Sequence, residues 1–497
     1  MAEFVYNQEH TIKGKIIIHA DIINVSPVVI GSGREDIADV EIMRLPDNQP
    51  YIPASSFAGA LQYYFTSWKI APGSGDDKFS KDGSMFWGSE QKKKEKKDAV
   101  NNKAITYQSH ILFDDLYTCD SKAKKKIVIR DGVKINAKTN TAENKGKYDY
   151  EILEAGVTFH LRAEITIRQG MNETGFMKYV EYIESILHDD QFRIGAQNNT
   201  GFGKIKCDNF KAWHFKFGEP VNNRVEWFEY LKRLNQQDIR QNTYYEIIPA
   251  FKPINSKIHE NPNQPFCIDA SFVIKNSLII GSYGIDSNDP DKSHLKSWNT
   301  NINEPDNVLS GKSIRGAIRH RALKILNTLE VAEADKIIRD LFGYVENDKT
   351  QKKVEMKGRI RIEESFIKNV AEQTQNRIRI DRFTGGTMKN ALFNSKPVWK
   401  TGTANNVQIN LSIENFKDWE AVLLLHTLKD LWTEDLAIGG EKNIGRGVLT
   451  GQNATISVGK KQLILKQIEN GELVIDGEVL RSEIKKWEVQ FNSLVKI

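Results

Sequence analysis

The sequence feature that most constrains how this chain can fold is a glycine-rich segment that occurs twice. The sequences IGAQNNTGFGKIKC (Ile194 to Cys207) and IGGEKNIGRGVLTG (Ile438 to Gly451) both begin with Ile-Gly and run through Asn to Gly-x-Gly. Each copy follows an amphipathic helical run, FMKYVEYIESILHDD before the first and DWEAVLLLHTLKDLW before the second. Matched segments in matched contexts indicate a duplicated domain.

The remaining segments of the two halves repeat in the same order. The strand-like HTIKGKIIIHADIINV is matched by PFCIDASFVIKNSLII, and the helical ASSFAGALQYYFTSW is matched by SGKSIRGAIRHRALKIL. The polar RDGVKINAKTNTAEN is matched by RIRIDRFTGGTMKNALF, and an alternating strand follows each. Each half therefore runs strand, helix, paired strands, helix, glycine loop, strand. This order predicts an α+β protein with two tandem ferredoxin-like (RRM-like, βαββαβ) domains.

Domain boundaries follow from the repeat. A chain of 497 residues has room for two or more domains. The segment from 456 onward has no counterpart in the first half, and we expect it to end in a helix. We assign residues 1–217 to the first domain, 218–244 to a partly helical linker, 245–455 to the second domain and 456–497 to a C-terminal appendix.

Composition excludes several classes of protein. Hydrophobic residues make up 39% and charged residues 27%, which is typical of a globular chain, and the net charge of +5 is mild. No apolar run reaches the roughly 18 residues that span a membrane, and no signal-peptide pattern is present. Three cysteines without metal-ligand spacing indicate a reducing compartment. We therefore expect a cytoplasmic protein without membrane partners.

The two glycine loops have a chemistry suited to phosphate. Clustered glycines allow positive φ and leave no Cβ in the way of a ligand, so successive N–H groups can point at one anion. The simpler alternative is a tight helix-to-strand connection that merely needs glycine. Because both copies also carry cations, we favour phosphate contact and predict it at Gly201, Gly203, Lys204, Gly445, Arg446 and Gly447.

Together these segments resemble the RAMP superfamily of CRISPR proteins. The resemblance lies in a β-strand, an Ile-Gly-x-Gly with an Asp downstream, YIPASSFAGAL, a hairpin region and a late glycine loop, and it covers nearly the whole chain, once per half. More narrowly, the chain resembles the backbone subunits of type III effector complexes. A two-domain fusion of this size is similar to the double-backbone subunits of subtype III-D.

The resemblance implies an RNA-binding subunit whose partners are a CRISPR guide RNA, complementary target RNA and other effector subunits. The segments Ile129 to Tyr148 and Arg377 to Phe393 would be the family's thumbs, hairpins that project from each domain toward the guide–target duplex. Two alternatives stay open: a purely architectural RNA-binding subunit, and a stand-alone nuclease that processes guide RNA.

Cleaving members of the family use an Asp in the loop after the first strand as a metal-dependent endoribonuclease residue. Eight residues past Gly31 lies Asp39, and eight residues past Gly281 lies Asp289. The resemblance implies that both are catalytic and hold Mg²⁺ or Mn²⁺. A carboxylate can take the proton of the RNA 2′-hydroxyl or bind a divalent ion that does so. An Asp in a loop is also a common turn stabiliser, and three rivals lie close by: Asp36, Asp286 and Asp291.

Further RNA contacts are predicted at the starts of the repeated helices and in the second thumb. Serines there are good N-caps, and a helix N-terminus attracts anions. Two arginines one helical turn apart would form a backbone clamp with a neighbouring lysine. His294 follows the segment that contains Asp286, Asp289 and Asp291, although a lone histidine is more often structural than catalytic. The remaining predicted RNA-binding residues are Ser55, Ser56, Lys312, Ser313, Arg315, Arg319, Arg379 and Arg382.

Overall fold

The computed structural model covers most of the two predicted domains. Asp286 and Asp289 lie outside the described residues, as does part of the predicted linker. Among the described helices, none has the length and apolar character needed to cross a bilayer. The described residues are 11–36, 38–68, 86–91, 105–136, 139, 141–169, 173–217, 222–236, 253–282, 290–347, 353–404, 407–468 and 471–494.

The first domain is built around a long isoleucine-rich strand, which suits the extended backbone because isoleucine is β-branched. Its described elements are, in chain order, β1 (Ile12–Asn24), α1 (Ala54–Ser67), β2 (Ser89–Gln91), β3 (Ile105–Tyr107), β4 (Ile111–Phe113), β5 (Ile127–Ile135), β6 (Ala142–Leu153), β7 (Thr158–Arg168), α2 (Glu173–Leu187), β8 (Ile205–Lys216) and α3 (Asn222–Gln236).

The main sheet of the first domain has the order β4-β7-β1-β8, and every neighbouring pair is antiparallel. In a βαββαβ unit these are the second, third, first and fourth strands. The predicted ferredoxin-like arrangement is therefore confirmed.

The two faces of this sheet have different covers. Ile16 and Ile18 of β1 point into the main core with α1 and α2, because alternate residues of a strand face opposite sides. Ile17 points to the other side and packs with Trp227 and Tyr230 of α3. The helix that follows the first domain therefore covers the back of its sheet.

The second domain repeats this plan with more strands. Its described elements are β9 (Phe266–Ile274), β10 (Ser277–Leu278), β11 (Gly281–Ser282), β12 (Lys292–His294), β13 (Lys296–Asn299), β14 (Glu304–Leu309), α4 (Gly311–Thr328), α5 (Ala334–Phe342), β15 (Gly343–Asn347), β16 (Lys353–Lys357), β17 (Ile360–Ile362), β18 (Ser365–Phe366), β19 (Val370–Glu372), β20 (Gln375–Ile380), β21 (Thr387–Lys396), β22 (Val398–Lys400), β23 (Val407–Ile413), α6 (Asp418–Trp432), β24 (Leu449–Val458), β25 (Lys461–Gln467), β26 (Leu473–Asp476) and α7 (Glu478–Asn492).

The main sheet of the second domain has the order β17-β23-β9-β24-β25-β26. Its first four strands again stand in the order second, third, first and fourth. The last two come from the predicted appendix and extend the sheet at its edge. The expected terminal helix is α7, whose Leu480, Trp487 and Phe491 are part of the second core. The appendix thus packs as part of the second domain.

The two segments predicted to project are both antiparallel hairpins. The first thumb is β5 paired with β6, and the second thumb is β20 paired with β21. Apolar side chains along the second thumb face solvent, and Phe383 at its turn is 100% exposed. A hairpin that buried its apolar residues would belong to a core, so this exposure fits a projecting element.

The two glycine loops have the same backbone conformation. Each contains a 3₁₀ turn, Asn198–Thr200 in the first and Lys442–Ile444 in the second. A glycine follows each turn at positive φ, Gly201 at 95° and Gly445 at 83°. The duplication predicted from the sequence therefore extends to the geometry of the loops.

The last glycine of each loop is required by the close approach of the loop to itself. A Cβ on Gly203 would lie 2.0 Å from the carbonyl oxygen of Ile194, and one on Gly447 would lie 1.8 Å from that of Ile438. A Cβ on Gly445 would meet nothing within 4 Å. Tight loop closure therefore explains Gly203 and Gly447, whereas Gly445 is open.

We expect Gly447→Ala to lower the melting temperature much more than Gly445→Ala. Both glycines have positive φ, so each alanine costs about 1–2 kcal/mol of backbone strain. Only Gly447→Ala adds a clash with backbone, which forces the loop apart. Thermal unfolding of the two variants measures the difference, and equal shifts would show that the closure of the loop contributes nothing.

Candidate nucleic-acid interface

A cleft of about 390 Å³ lies in the first domain between the glycine loop, α1 and the chain that follows β1. One wall comes from the second domain through Lys357 of β16. The cleft is lined by Val29, Ile30, Gly31, Ser56, Ala60, Tyr63, Tyr64, Arg193, Gly195, Ala196, Asn198 and Lys357.

Two cationic side chains reach this cleft, and neither was predicted from the sequence. The Lys357 ammonium lies 4.6 Å from the centroid of the Tyr63 ring, and burial lowers the pKa of this lysine. Arg193 is buried and donates to the Phe192 carbonyl at 2.9 Å, and it pairs with Glu363. The sequence gives little signal for Lys357, because this residue enters the cleft from the other domain.

The start of α1 differs from the sequence prediction. The helix begins at Ala54 with Pro53 in the N-cap position, so Ser55 and Ser56 lie in the first turn rather than at the cap. The backbone N–H of Ala54 donates to the carboxylate of Asp115 at 2.7 Å. A protein carboxylate therefore occupies part of the anion-attracting helix end. Ser56 still lines the cleft, and Ser55 is exposed.

The first glycine loop contacts the second domain. The Asn199 side chain donates to the Gly358 carbonyl at 2.8 Å, and a Cβ on Gly201 would lie 2.4 Å from the backbone nitrogen of Glu364. The Lys204 ammonium lies 3.3 Å from the Asp190 carboxylate. Protein groups thus meet this loop where RNA phosphates were predicted.

The start of α4 is the other side of this contact. A Cβ on Gly311 would lie 2.4 Å from the carbonyl oxygen of Thr200 in the first loop. The neighbouring Ser313 is half-buried. The helix end that was predicted to bind phosphate therefore faces the first glycine loop.

The basic clamp predicted on α4 is largely committed to protein contacts. The Lys312 ammonium lies 4.3 Å from the Tyr150 ring centroid, without a hydrogen-bond partner among the described residues, and burial lowers its pKa to about 8. Arg315 donates to the Phe342 carbonyl at 2.6 Å, and burial lowers its pKa to about 10. Arg319 is exposed. Of the three cations, only Arg319 is placed for RNA.

A buried ion pair and a buried hydrogen bond join the two domains beside the first thumb. Arg130 of β5 binds the Glu364 carboxylate at 2.7 Å and the Glu154 carboxylate at 3.4 Å. Arg361 of β17 donates to the Gln191 side chain at 2.6 Å. These contacts, together with the docked glycine loop, form what we call the domain interface.

The second glycine loop is exposed to solvent, but its arginine is buried. Arg446 is only 2% exposed, and its guanidinium binds Glu441 at 2.8 Å and donates to Gln375 at 2.5 Å. The prediction that Arg446 contacts phosphate is therefore not supported, since neighbouring protein groups satisfy its charge. Lys442 and Gly445 of the same loop are exposed.

The second thumb carries a concentrated set of exposed basic and aromatic groups. Arg379, Arg382 and Phe383 are all exposed near the turn of the hairpin. Arginine guanidinium groups bind phosphate oxygens, and an aromatic ring offers a surface on which a base stacks. The predicted roles of Arg379 and Arg382 fit this placement.

Asp39 lies next to the first thumb. Its backbone N–H donates to Oδ1 of Asp149 in β6 at 2.9 Å, and the backbone N–H of Asp149 donates to Oδ2 of Asp39 at 3.0 Å. We call this reciprocal pair the first loop–thumb clamp. Asp39 is exposed, so its carboxylate remains accessible beside the root of the hairpin.

The same arrangement occurs in the second domain, at Asp291. Its backbone N–H donates to Oδ1 of Asn394 in β21 at 2.6 Å, and the backbone N–H of Asn394 donates to Oδ2 of Asp291 at 2.9 Å. This is the second loop–thumb clamp. Asp291, which the sequence left as a rival, is the structural counterpart of Asp39, while Asp289 lies outside the described residues.

His294 has a structural role. It is buried, accepts from the backbone N–H of Ile280 at 3.2 Å and contacts the Val308 carbonyl at 3.1 Å. Burial lowers its pKa to about 4, which keeps the ring neutral near pH 7. Among the described residues, no group of three or more His, Cys, Asp or Glu side chains is placed to hold a metal ion.

Comparison with known families agrees with this architecture. The family model of the RAMP superfamily matches residues 21–206 and 300–450, which is more than half of the chain and falls once in each half. A search of curated proteins finds no match. The chain therefore belongs to the RAMP superfamily and is a CRISPR-associated RNA-binding subunit.

Proposed function

We propose that this chain is a guide-RNA-binding backbone subunit of a type III CRISPR effector complex, of the double-backbone kind found in subtype III-D, and that it cleaves complementary target RNA. One observation carries the proposal: an exposed aspartate is fixed to the root of a projecting hairpin once in each domain. A repeated carboxylate beside a repeated thumb suits two cuts in one bound strand.

The binding surface in this proposal is made of exposed cations and rings rather than of the docked loop. Arg379 and Arg382 on the second thumb, Lys442 on the open glycine loop and Arg319 on α4 face solvent. The cleft with Lys357 and Tyr63 adds a partly enclosed site in the first domain. Contacts of this kind bind the sugar–phosphate backbone without reading sequence, as expected when base pairing supplies specificity.

The proposed chemistry is attack by the RNA on itself. The 2′-hydroxyl oxygen bonds to the adjacent phosphorus and its proton passes to the Asp carboxylate directly or through water. The bond from phosphorus to the 5′-oxygen breaks, and that oxygen takes a proton from solvent. The products are a 2′,3′-cyclic phosphate and a 5′-hydroxyl. General-base help of this kind contributes about 10²–10⁴-fold in rate.

A divalent cation, Mg²⁺ or Mn²⁺, is part of the proposal, and the residues at the first clamp fit it in a limited way. At the first clamp the exposed Asp39 carboxylate provides a hard oxygen ligand of the type such ions prefer. Because the described residues form no larger ligand group, RNA phosphates and water would have to complete the coordination. The ion would supply charge neutralisation at the attacked phosphate.

The proposal is tested on the assembled complex. The chain is purified with co-expressed partners and guide RNA and is incubated with end-labelled complementary or unrelated RNA, with Mg²⁺ or with EDTA. We expect two cuts that need both complementarity and Mg²⁺. Target binding without any cut would favour the purely architectural subunit, and cutting of the guide precursor by the isolated chain would favour the processing nuclease.

We expect the double variant Arg379→Ala, Arg382→Ala to weaken RNA binding about equally for all sequences. Each lost phosphate contact lowers the slope of log K against log salt by about 0.7 for single-stranded RNA. The double variant should therefore lose at most about 1.4 from that slope. Filter binding over a salt series measures it, with Lys336→Ala, an exposed helix lysine, as the control. An unchanged slope would remove these arginines from the interface.

A further inference from the structure

The two loop–thumb clamps have the same geometry but different chemistry. In each, an aspartate on the loop after the first strand exchanges two hydrogen bonds with a residue on the second strand of the thumb. The thumb residue is Asp149 in the first domain and Asn394 in the second. Asp149 and Asn394 are both half-buried, whereas Asp39 and Asp291 are both exposed.

The pairing shows which property of the thumb residue matters. In both clamps its Oδ1 accepts from the loop N–H and its own N–H donates to the loop carboxylate. A carboxylate and an amide perform this task equally well, because each offers an acceptor oxygen at the same distance from the backbone. Charge at the thumb position is therefore not what the clamp requires.

The loop residue has a different requirement. It offers one carboxylate oxygen to the thumb backbone. This bond fixes the orientation of the carboxylate, which remains accessible to solvent. Without the clamp, an aspartate on an exposed loop would sample several rotamers. The clamp therefore converts a mobile carboxylate into one that is held in register with the hairpin.

We propose that Asp149 and Asn394 are positioning residues: their side chains hold the loop backbone at Asp39 and Asp291, and their backbone N–H groups orient the two carboxylates, so that each cut depends on an intact clamp. This inference rests on the proposed target cleavage, and it adds residues that neither the sequence pattern nor the family resemblance indicated. It also assigns the second cut to Asp291.

A positioning role and a stabilising role of the clamp predict different effects on the cleavage rate and on folding. Asp149→Ala removes one side-chain acceptor at a half-buried position, and a single hydrogen bond contributes little net stability, so the domain stays folded. A misplacement of about 1 Å in a reacting group can cost roughly 10²-fold in rate. Loss of the clamp should thus slow one cut far more than it affects stability or binding.

The test uses Asp149→Ala and Asp149→Asn in the assembled complex, with single-turnover cleavage measured at each cut position. We expect Asp149→Ala to slow the first cut about 100-fold with unchanged target affinity and an unchanged second cut. Asp149→Asn makes the first clamp chemically like the second, so it should restore the first cut to near the wild-type rate.

The corresponding experiment at the second clamp uses substitutions of Asn394. Asn394→Ala should slow only the second cut, and Asn394→Asp should preserve it. Cleavage at the wild-type rate by both alanine variants would overturn the positioning role. A first cut that is as slow with Asp149→Asn as with Asp149→Ala would overturn it as well, because the residue would then act through its charge.

Amide hydrogen exchange distinguishes a failure of this inference from a failure of the proposed function. We expect the backbone N–H of Asp39 to exchange faster in Asp149→Ala than in wild type or in Asp149→Asn. If the wild-type complex does not cut the target, the proposed cleavage is wrong. The positioning role is then wrong as well, even if hydrogen exchange shows an intact clamp. If wild type cuts but exchange at Asp39 is the same in all three proteins, the clamp alone is refuted.

Discussion

Replacing Asp39 by alanine is expected to remove one metal-dependent cut, with a rate loss of about 100-fold or more at that position, while guide and target binding persist. The interface with RNA is formed by many phosphate contacts, to which one exposed carboxylate contributes little. Help from a general base or a bound metal ion, in contrast, is worth orders of magnitude in rate. The effect should therefore fall almost entirely on the cleavage step.

The measurement is single-turnover cleavage of end-labelled target by the assembled complex, alongside target affinity. Asp36→Ala is the matched control, because Asp36 is an exposed aspartate on the same loop and has no place in the clamp. In the second domain, Asp291→Ala and Asp289→Ala are compared, and we expect only the first to remove the other cut. Normal cutting by a variant that lacks both Asp39 and Asp291 would eliminate the carboxylate mechanism.

The largest expected effect on stability is at the domain interface. Arg130→Ala removes a guanidinium that is 3% exposed and leaves the Glu154 and Glu364 carboxylates buried without their cation. Removal of one partner from a buried ion pair typically costs about 3–5 kcal/mol, because the remaining charge stays desolvated. We expect the two halves to separate at lower urea concentration than in wild type.

Lys134→Ala is the control for this experiment, since it lies on the same strand and breaks an ion pair with Glu143 that is largely exposed. Exposed pairs contribute about 0–1 kcal/mol. Urea unfolding followed by tryptophan fluorescence compares the two variants. If Arg130→Ala shifts the midpoint no more than Lys134→Ala does, the buried pair does not hold the domains together.

The overall fold was predictable because it depends on patterns that lie close together in the sequence. Alternating β-branched residues, amphipathic helical runs and a duplicated glycine loop are each visible in a short window, and their order predicts the ferredoxin-like plan. The loops even share their backbone angles, with Gly201 at φ 95° and Gly445 at φ 83°. Local chemistry thus determined local structure in both halves.

The functional surface was less predictable because it depends on which groups meet across long separations in sequence. Gly201 and Gly445 look equivalent in the sequence, yet only the first meets a neighbouring domain. Arg446 looks like a phosphate ligand, yet Glu441 and Gln375 hold it in the interior. No short window of sequence shows that such a cation is already paired.

The segment between Gly281 and His294 shows a different limit, because its aspartate was predicted by counting residues from the glycine. Gly31 pairs with Ile42 in the first domain, and Gly281 pairs with His294 in the second, so the second loop is longer between its paired ends. Counting forward from the glycine therefore leads to Asp289. The hydrogen bonds of Asn394 on the second thumb identify Asp291 as the counterpart of Asp39 instead.

The domain interface has a consequence for how this chain would handle a strand of RNA. Because the first glycine loop packs against α4 and the end of β17, and the buried Arg130–Glu364 pair also joins the domains, the spacing of the two thumbs is set by packing and not by a flexible tether. Under the proposed function, the two cleavage positions would therefore stand a constant distance apart. A strand that contacts both thumbs would be divided at a fixed step, whatever its base sequence.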